Sequence, residues 1–366
     1  MFNNIYKDKK VLITGDSGFK GSWLTIWLLK LGAKVIGLSL DPPSNPSMFH
    51  ELDLLSKISH NKFDIRDFNL VQQLINDESP DFIFHLAAQS LVSESYKDPL
   101  TTISTNIVGV ANTLESARNL QNDCAIIIIT SDKCYDNLEW EWGYRENDKL
   151  GGKDIYSSSK ASAELIFNSY YHSFFENNKY NLRIASARAG NVIGGGDWAK
   201  NRLIPDCMRA WNSNKIVEIR NPQSTRPWQH VLEPLSGYLT LGEKLKENKN
   251  MNGHSFNFGP SPMNNHSVLD LISDLSKHWK FENNSSTFRI IESSVFDEAR
   301  LLKLNCDKSL FFFKWRPTLD YSNLIEFTGS WYAHFYNGHK NIYEFSLNQI
   351  EQYEKIAARE GIDWAM

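Results

Sequence analysis

The stretch that decides the fold is VLITGDSGFKGSWLTIWLLKLG, residues 11–32. A short apolar run leads into Gly15, Gly18 and Gly21, and an apolar helical pattern follows until Gly32. Glycines at this spacing allow a tight turn, a close approach of the backbone to a pyrophosphate, and close packing of the helix on a sheet. The N-terminus of the helix then faces the phosphates. The stretch predicts a dinucleotide site, although an ordinary strand-to-helix turn can carry the same glycines.

The first half of the chain continues this alternation of strands and helices. Because strands buried on both faces cannot alternate polar with apolar residues, continuous apolar runs between helices indicate a parallel sheet covered on both sides. Residues 1–187 are therefore expected to form a Rossmann-type, doubly wound α/β domain. Its strands are predicted at 10–14, 34–39, 62–64, 81–86, 125–130 and 183–187.

Beyond residue 188 the sequence becomes rich in glycine, proline, asparagine and aromatic residues, as in GNVIGGGDW and FNFGPSP. Helices are predicted at 268–279 and 321–336, and a polar terminal helix at 347–360. We expect residues 188–366 to form a smaller, partly interwoven α/β lobe that binds the substrate, with some segments returning to the first domain.

Composition excludes several classes of function. The 39 basic and 43 acidic side chains form no long block of one sign, so nucleic acid is not an expected partner. No apolar run is long enough to span a bilayer, and the N-terminus does not resemble a signal peptide, which favours a cytoplasmic protein without membrane contact. The cysteines lack the pairing of a metal site or redox motif, so no metal is expected; they are Cys124, Cys134, Cys207 and Cys306.

The dinucleotide site lacks one usual feature. Dinucleotide folds often place an acidic residue at the end of the second strand, where it binds the adenosine ribose and favours NAD. Ser39 stands there, and Asp41 is either a ribose contact or a turn residue. Asp64, Ile65 and the HLAAQ segment either contact the cofactor or only pack. The predicted cofactor-binding residues are Gly15, Ser17, Gly18, Phe19, Lys20, Gly21, Ser39, Asp64, Ile65, Leu86, Ala87, Ala88, Asn106, Tyr156 and Lys160.

Two clusters predict the chemistry. Tyr156 and Lys160 lie one turn apart in the helical pattern YSSSKASAELIF and can act as one unit. A tyrosine with its ordinary pKa of about 10 is a poor base at neutral pH, but a nearby ammonium and a positively charged nicotinamide favour the phenolate. Ser131, Asp132 and Lys133 follow the isoleucine-rich strand, at the sheet edge where ligands bind.

Ser131 can hydrogen-bond a substrate hydroxyl that Tyr156 also holds, an arrangement that suits hydride removal from the adjacent carbon. Asp132 and Lys133 add a potential acid and base, which a plain dehydrogenase or an epimerase does not require. The alternative is an ion pair within the loop.

Several long motifs carry a resemblance that covers nearly the whole chain: TGDSGFKGSW, TSDKCYDN, WGYREND, YSSSK, RAGNVIGGGDW and RPWQHVLEPLSGY. They resemble the extended short-chain dehydrogenase/reductase family and, within it, the nucleotide-sugar dehydratases that act on CDP-glucose. In the related dTDP-glucose dehydratases an Asp-Glu dipeptide stands where this chain has Asp132 and Lys133.

The resemblance implies NAD as cofactor and a dehydration of CDP-glucose. Tyr156 would take the proton of the sugar 4-hydroxyl as hydride leaves C4 for NAD. Lys133 would then remove the C5 proton while Asp132 protonates the departing 6-hydroxyl, and hydride would return to C6. As a base Lys133 needs a lowered pKa, which burial, Lys160 and the nicotinamide would favour. The implied context is the biosynthesis of deoxysugars for lipopolysaccharide.

The substrate nucleotide is the least defined part of the prediction. Arg226 in RPWQHV offers a fixed fork of donors for a phosphate, unless it is a surface arginine. Arg188, Asn191 and the run 194–197 either hold a sugar diphosphate or make a turn. Nothing in the residues identifies cytosine, so CDP depends on the resemblance. The predicted substrate-binding residues are Gln89, Ser131, Asn191, Arg202, Arg226 and Arg300.

Two other functions use the same residues. A nucleotide-sugar 4-epimerase needs Ser131, Tyr156 and Lys160 but has no use for an acid and a base at C6 and C5. A regulatory protein that senses the cofactor would not need the catalytic residues. Helices near 102–117 and 156–171 are predicted either to form the faces of a homodimer or homotetramer or to cover the sheet.

Overall fold

The computed structural model describes residues 1–177, 181–219, 221–261, 266–279, 287–291, 301–339 and 341–366. Its strands are β1 (Lys10–Thr14), β2 (Lys34–Ser39), β3 (Ser59–Lys62), β4 (Phe82–His85), β5 (Cys124–Ile129), β6 (Leu182–Ala189), β7 (Val192–Ile193), β8 (Val217–Ile219), β9 (Thr225–Arg226), β10 (Gln229–His230), β11 (Ser255–Phe258), β12 (His266–Ser267) and β13 (Phe288–Ile290). Its α-helices are α1 (Phe19–Lys30), α2 (Met48–Glu51), α3 (Phe68–Glu78), α4 (Val92–Lys97), α5 (Pro99–Ile103), α6 (Gly109–Ala117), α7 (Ile155–Tyr170), α8 (Leu203–Asn212), α9 (Leu232–Glu247), α10 (Val268–Ser276), α11 (Asp307–Phe313), α12 (Tyr321–Tyr336) and α13 (Ile342–Arg359).

The central sheet has the strand order β11-β6-β5-β4-β1-β2-β3, and every neighbouring pair is parallel. The chain leaves β3 and crosses to β4 on the other side of β1, so the winding reverses between β1 and β4. In open α/β sheets this switch point leaves a crevice at the carboxyl ends of the strands, where ligands bind. The predicted Rossmann-type, doubly wound fold is confirmed.

Side chains of the central strands alternate between two apolar cores. In β1, Val11 and Ile13 face a core shared with α1, α9 and α13, whereas Leu12 faces a core shared with α3, α6 and α7. Full burial of one such side chain contributes about 1.5–3 kcal/mol. Because both faces are covered, the strands are apolar without alternation, which is the pattern the sequence shows.

The predicted bounds are correct for β1, β2 and α12 and shift by a few residues for β4, β5 and β6. The strand predicted at 62–64 is wrong, because β3 lies at Ser59–Lys62. This strand is the edge of the sheet and consists of Ser, His, Asn and Lys, exposed or half-buried. A polar edge strand carries no apolar run, so the sequence pattern cannot locate it.

Two helices in the second half also differ from their predicted bounds. The helix predicted at 268–279 ends at Ser276. The terminal helix predicted at 347–360 begins at Ile342, because the Asn341 side chain accepts the N–H of Glu344 and caps it there. This helix is amphipathic rather than polar, since it buries Ile350 and Tyr353.

The second half contributes to the central sheet as well as to smaller ones. Strand β11 pairs with β6 in the central sheet, whereas β7 pairs with β10, β8 with β13 and β9 with β12. The division into two lobes at residue 188 stays a prediction. None of the described helices combines the length and apolar composition needed to cross a membrane.

Candidate active site

The turn after β1 is built by its three glycines. Gly15 has a φ of 78°, and a Cβ there would lie 2.8 Å from the backbone nitrogen of Ala87. A Cβ on Gly21 would lie 2.1 Å from the Gly15 oxygen, so α1 packs directly on the turn. Around Gly18 the described structure offers one contact for a Cβ, at 3.3 Å, and no side chain caps α1. This open helix N-terminus fits a diphosphate held by backbone N–H groups.

The end of β2 is arranged without an acidic ribose ligand. The hydroxyl of Ser39 accepts the N–H of Ser17 at 3.3 Å, and the Ser17 hydroxyl donates to the Leu40 oxygen at 2.9 Å. These contacts fix the glycine turn against β2. Asp41 forms a 2.6 Å ion pair with Lys62 at the surface, so the structure shows it as a turn residue.

Asp16 is a buried charge that the sequence reasoning missed. Its carboxylate lies 2.8 Å from Nδ1 of His60 and directly over Gly37, where a Cβ would come within 2.1 Å of it. A glycine in the middle of an otherwise apolar strand was the available signal, because such glycines often mark a close approach. Asp16 therefore fixes the glycine turn against β2 and β3 through Gly37 and His60.

The predicted adenine-side residues lie beside this turn. Asp64 is held by the guanidinium of Arg66 at 2.6 Å, and the hydrogen bonds from Arg66 lower the pKa of Asp64. Ile65 packs against Gly109 of α6. After β4, the N–H of Leu86 donates to the Thr14 oxygen at 3.0 Å. Ala87 and Ala88 follow and line the crevice between β1 and β4.

Gln89 and Asn106 are joined by hydrogen bonds between the Asn106 side chain and the Gln89 backbone. The Asn106 side chain accepts the N–H of Gln89 at 2.8 Å and donates to Ser159, next to Lys160, also at 2.8 Å. It lies in a π-helical turn, Ser104–Val108, a feature that is frequent at functional sites. The Gln89 side chain bonds Leu91 and Thr102. In this structure Gln89 shapes the loop, and its substrate role stays a prediction.

Four predicted catalytic residues meet at the carboxyl ends of β5 and β6. Tyr156 and Lys160 lie on the first two turns of α7, which the Asp154 side chain caps. Ser131 and Asp132 come from the turn after β5, and the Ser131 hydroxyl donates to Oδ1 of Asp132 at 2.9 Å. Ser131 also lies close enough to the Tyr156 phenol to influence its pKa. Loop and helix thus present one continuous polar surface.

Burial shifts the pKa values of these side chains. Burial raises the pKa of Tyr156 to about 12, although the nearby Ser131 hydroxyl opposes the shift. Burial lowers the pKa of Lys160 to about 8 and raises the pKa of Asp132. A buried carboxyl with a raised pKa suits a general acid. The Tyr156 phenolate needs added positive charge, which a bound oxidised nicotinamide supplies.

Lys20 lies in the same pocket, although the sequence suggested only a cofactor contact. Burial, together with the charge of Arg202, lowers the pKa of Lys20 to about 7. Its Nζ donates to the Tyr238 hydroxyl at 3.5 Å. Tyr238 is buried on α9, where burial and then Asp132 raise its pKa. Tyr238 was missed, although it ends the motif RPWQHVLEPLSGY.

Lys133 and Asp132 do not form a salt bridge with each other in the described structure. Lys133 is half-buried, its backbone N–H donates to the Ser131 hydroxyl at 3.2 Å, and its ammonium makes no hydrogen bond or ion pair with the residues described. The Asp132 carboxylate lies against Gly190, where a Cβ would come within 3.0 Å of it. Burial raises the pKa of Asp132 and the charge of Lys133 opposes that rise, so the two side chains lie close together without forming an ion pair.

A second polar cluster lies one turn further along α7. Glu164 and Arg188 form a fully buried ion pair of 2.8 Å. Glu164 also accepts hydrogen bonds from Thr130 at 2.5 Å and Ser186 at 2.9 Å, and Arg188 donates to Tyr135 at 2.8 Å. Arg188 joins α7 to β6 and is not exposed to a substrate phosphate.

The glycine run after β7 packs closely against neighbouring side chains. A Cβ on Gly195 would meet the ring of Trp331 at 2.0 Å, and one on Gly196 would meet Sδ of Met48 at 2.2 Å. Asp197 pairs with Arg202 at 2.9 Å. The turn interpretation of 194–197 therefore fits the structure.

The other predicted substrate residues lie on separate elements of the second half of the chain. Arg202 is close enough to Tyr156 for their charges to interact and reaches Ser90 at 3.4 Å. Arg226 is half-buried on β9 and donates to the Thr225 oxygen at 3.0 Å. Asn191 is half-buried just before β7. Arg300 lies outside the described residues.

The crevice at the switch point, with its glycine turn and its Ser-Tyr-Lys set, defines a short-chain dehydrogenase/reductase of the extended kind. The chain belongs to the family described as GDP-mannose 4,6 dehydratase, which it matches over residues 12–328. The resemblance read from the motifs is confirmed.

Relatives agree with this assignment. The chain is 40% identical over 359 residues to the CDP-glucose 4,6-dehydratase of Salmonella typhimurium, covering 97% of this chain and 99% of that protein. Its fold is similar to an epimerase from Methanothermobacter thermautotrophicus, with a TM-score of 0.77, 23% identity, and 92% and 95% of the two chains covered. It is also similar to the dTDP-glucose 4,6-dehydratase of Bacillus anthracis in complex with NAD, with a TM-score of 0.73, 20% identity, and 88% and 96% covered.

Proposed function

We propose that this protein is an NAD-dependent CDP-glucose 4,6-dehydratase, which converts CDP-D-glucose to CDP-4-dehydro-6-deoxy-D-glucose. The observation that carries the proposal is the placement of Asp132 and Lys133 directly beside Ser131 and Tyr156. Oxidation at C4 needs only the hydroxyl, the phenol and the lysine, whereas elimination of water needs an acid and a base. The 40% identity to the Salmonella typhimurium enzyme supports the same assignment.

NAD as cofactor fits the described residues. The open N-terminus of α1 at Gly18 offers backbone N–H groups to the diphosphate, and we assign Ser39, at the end of β2, to the ribose. The Bacillus anthracis relative is an NAD complex. When bound, NAD would supply the hydride acceptor for oxidation at C4 and the hydride donor for reduction at C6. The proton transfers and the substrate contacts are carried out by the protein's own side chains.

Those side chains divide the work. Tyr156, supported by Lys160, takes the 4-hydroxyl proton while Ser131 holds the sugar oxygen. The resulting ketone acidifies the C5 proton. We assign the removal of this proton to Lys133. Asp132 then gives its proton to the 6-oxygen, which leaves as water. Burial raises the pKa of Asp132, which favours the protonated carboxyl that this step requires.

The diphosphate and the assembly complete the proposal. Arg226, Arg202 and Asn191 are assigned to the nucleotide-sugar diphosphate at the pocket mouth.

A homodimer or homotetramer is proposed through exposed apolar side chains on the two helical faces, such as Ile103 and Leu165. The four free thiols fit a cytoplasmic enzyme of deoxysugar and lipopolysaccharide biosynthesis.

The decisive experiment mixes the purified protein with NAD and CDP-glucose and identifies the product by NMR. The proposal expects CDP-4-dehydro-6-deoxy-D-glucose without net NADH, because hydride is borrowed and returned. CDP-galactose as product would instead indicate a 4-epimerase, stoichiometric NADH an ordinary dehydrogenase, and an unchanged sugar a sensor. Parallel reactions with UDP-, dTDP- and GDP-glucose test the base preference.

A further inference from the structure

The proposed reaction leaves one proton out of place in each turnover, and this inference depends on that reaction. Tyr156 gains the proton of the 4-hydroxyl, and Asp132 loses a proton to the departing 6-oxygen. The proton that Lys133 takes from C5 returns to C5 when hydride adds to C6. Before the next turnover, one proton must therefore pass from Tyr156 to Asp132.

Ser131 stands between these two groups. Its hydroxyl donates to Oδ1 of Asp132 at 2.9 Å, and it lies close enough to the Tyr156 phenol to oppose the rise that burial causes in the pKa of that phenol. A hydroxyl can donate one hydrogen bond and accept others at the same time. The Ser131 donor already points toward Asp132, which is the direction in which the proton must travel.

Solvent has poor access to all three side chains. Their exposed fractions are 7% for Tyr156, 8% for Ser131 and 4% for Asp132, before any ligand covers them. A proton delivered by water would have to reach a buried carboxylate, whereas the serine is already in contact with it.

We propose that Ser131 relays the proton of Tyr156 to Asp132 and so resets the active site. The Tyr156 O–H bond breaks as a new O–H bond forms on Oγ of Ser131. The original Ser131 proton passes to Oδ1 of Asp132. No electrons are gained or lost, and the products are the phenolate and the carboxylic acid that the next turnover requires.

A rival route runs through Lys20 and Tyr238. The Tyr238 hydroxyl accepts from Nζ of Lys20 at 3.5 Å, and its pKa responds to both Asp132 and Tyr156. This route needs two intermediates instead of one, and no hydrogen bond joins either of them to Asp132 in the described structure, whereas Ser131 already donates to Asp132 at 2.9 Å. The variant Tyr238→Phe removes it.

The test compares the first turnover with later ones. The first turnover uses the proton already on Asp132, whereas each later turnover needs the relay. For Ser131→Ala, rapid-quench measurements of product should show a burst of one product per active site. We expect the single-turnover rate to fall roughly 10-fold, as for one lost hydrogen bond, and the steady-state rate roughly 100-fold or more, as for lost proton transfer.

Two further measurements separate the relay from a merely structural role. At constant pH, increasing concentrations of imidazole should raise the steady-state rate of Ser131→Ala by supplying the proton from solution, but not that of the unaltered protein. Ser131→Thr keeps the hydroxyl and should show neither the burst nor the buffer dependence. The infrared carboxyl band of protonated Asp132, assigned by its loss in Asp132→Asn, should shift in Ser131→Ala.

Equal losses in single-turnover and steady-state rates for Ser131→Ala, without a burst and without buffer dependence, would overturn the relay. A burst in Tyr238→Phe instead of in Ser131→Ala would overturn it in favour of the rival route. Failure of the proposed function is distinguishable from both outcomes, because the unaltered protein would then form no 4-keto-6-deoxy sugar at all.

Discussion

Helix α7 carries two polar clusters on one face that behave differently. Its first two turns present Tyr156 and Lys160, whose pKa values burial shifts to about 12 and about 8. One turn further, Glu164 is equally buried, yet its pKa is lowered because Arg188 and several hydroxyls stabilise its charge. The comparison teaches that burial alone does not create a reactive group. Reactivity requires burial without a full set of partners, and Glu164 has that full set.

The largest effect is expected at the reactive end of the helix. Tyr156→Phe removes the phenolic oxygen and should lower kcat/KM for CDP-glucose by about 10³–10⁴-fold, as for loss of general base catalysis. The free energy of unfolding should change little, because the ring remains. Steady-state kinetics and chemical denaturation measure the two quantities. Activity within 10-fold of the unaltered protein would remove Tyr156 from the chemistry.

Substitutions in the second polar cluster, which contains Glu164 and Arg188, should lower the stability of the fold. Glu164→Ala leaves Arg188 as an unpaired buried charge and should cost about 3–5 kcal/mol of unfolding free energy in urea titrations. The matched control is the double variant Glu164→Leu, Arg188→Met, which removes both charges and should recover most of that loss. If the single variant is as stable as the unaltered protein, the distinction between the two clusters fails.

The unfolding free energy of a Lys20 variant tests the pKa of a buried group at the reactive end of the site. A lysine whose folded-state pKa is about 7 binds its proton less tightly than in the unfolded chain. Its destabilising effect is therefore complete below pH 7 and disappears as the pH rises toward 10.5. Lys20→Met should raise the unfolding free energy at pH 7 by roughly 1–2 kcal/mol, allowing for partial solvent exposure, while slowing catalysis.

The pH dependence identifies the cause. In urea titrations the advantage of Lys20→Met should shrink between pH 7 and pH 10. Lys34→Met, at an exposed lysine, serves as the control and should have no such advantage. A Lys20→Met protein that is less stable than the original at pH 7 would contradict the assigned pKa.

The smallest effect on catalysis is expected from Tyr135→Phe. The Tyr135 hydroxyl accepts from Arg188 and donates to Asn257, each at 2.8 Å. Its loss should cost about 1–3 kcal/mol, because the two buried partners lose a hydrogen bond. The ratio of single-turnover to steady-state rates should stay unchanged, since this network anchors the helix and carries no proton. A changed ratio would show that the two clusters are coupled.

Local patterns in the sequence predicted much of this arrangement. The glycine turn, β1, β2 and α12 could be placed because an apolar run, a glycine spacing or a helical period marks each of them. Tyr156 and Lys160 share a helix face by spacing alone. Strand β3 and the cap at Asn341 were misplaced, because a polar edge strand and a single capping side chain leave little trace in composition.

The sequence by itself therefore determined most of the sheet, its dinucleotide turn and the candidate catalytic residues, since each depends on neighbours along the chain. Only the tertiary structure decided what those residues can do. It placed Lys20 and Tyr238 beside Asp132, gave Arg188 to Glu164 rather than to a phosphate, and set Ser131 between a phenol and a carboxyl. Such contacts join residues far apart in sequence, and burial and charge act through space.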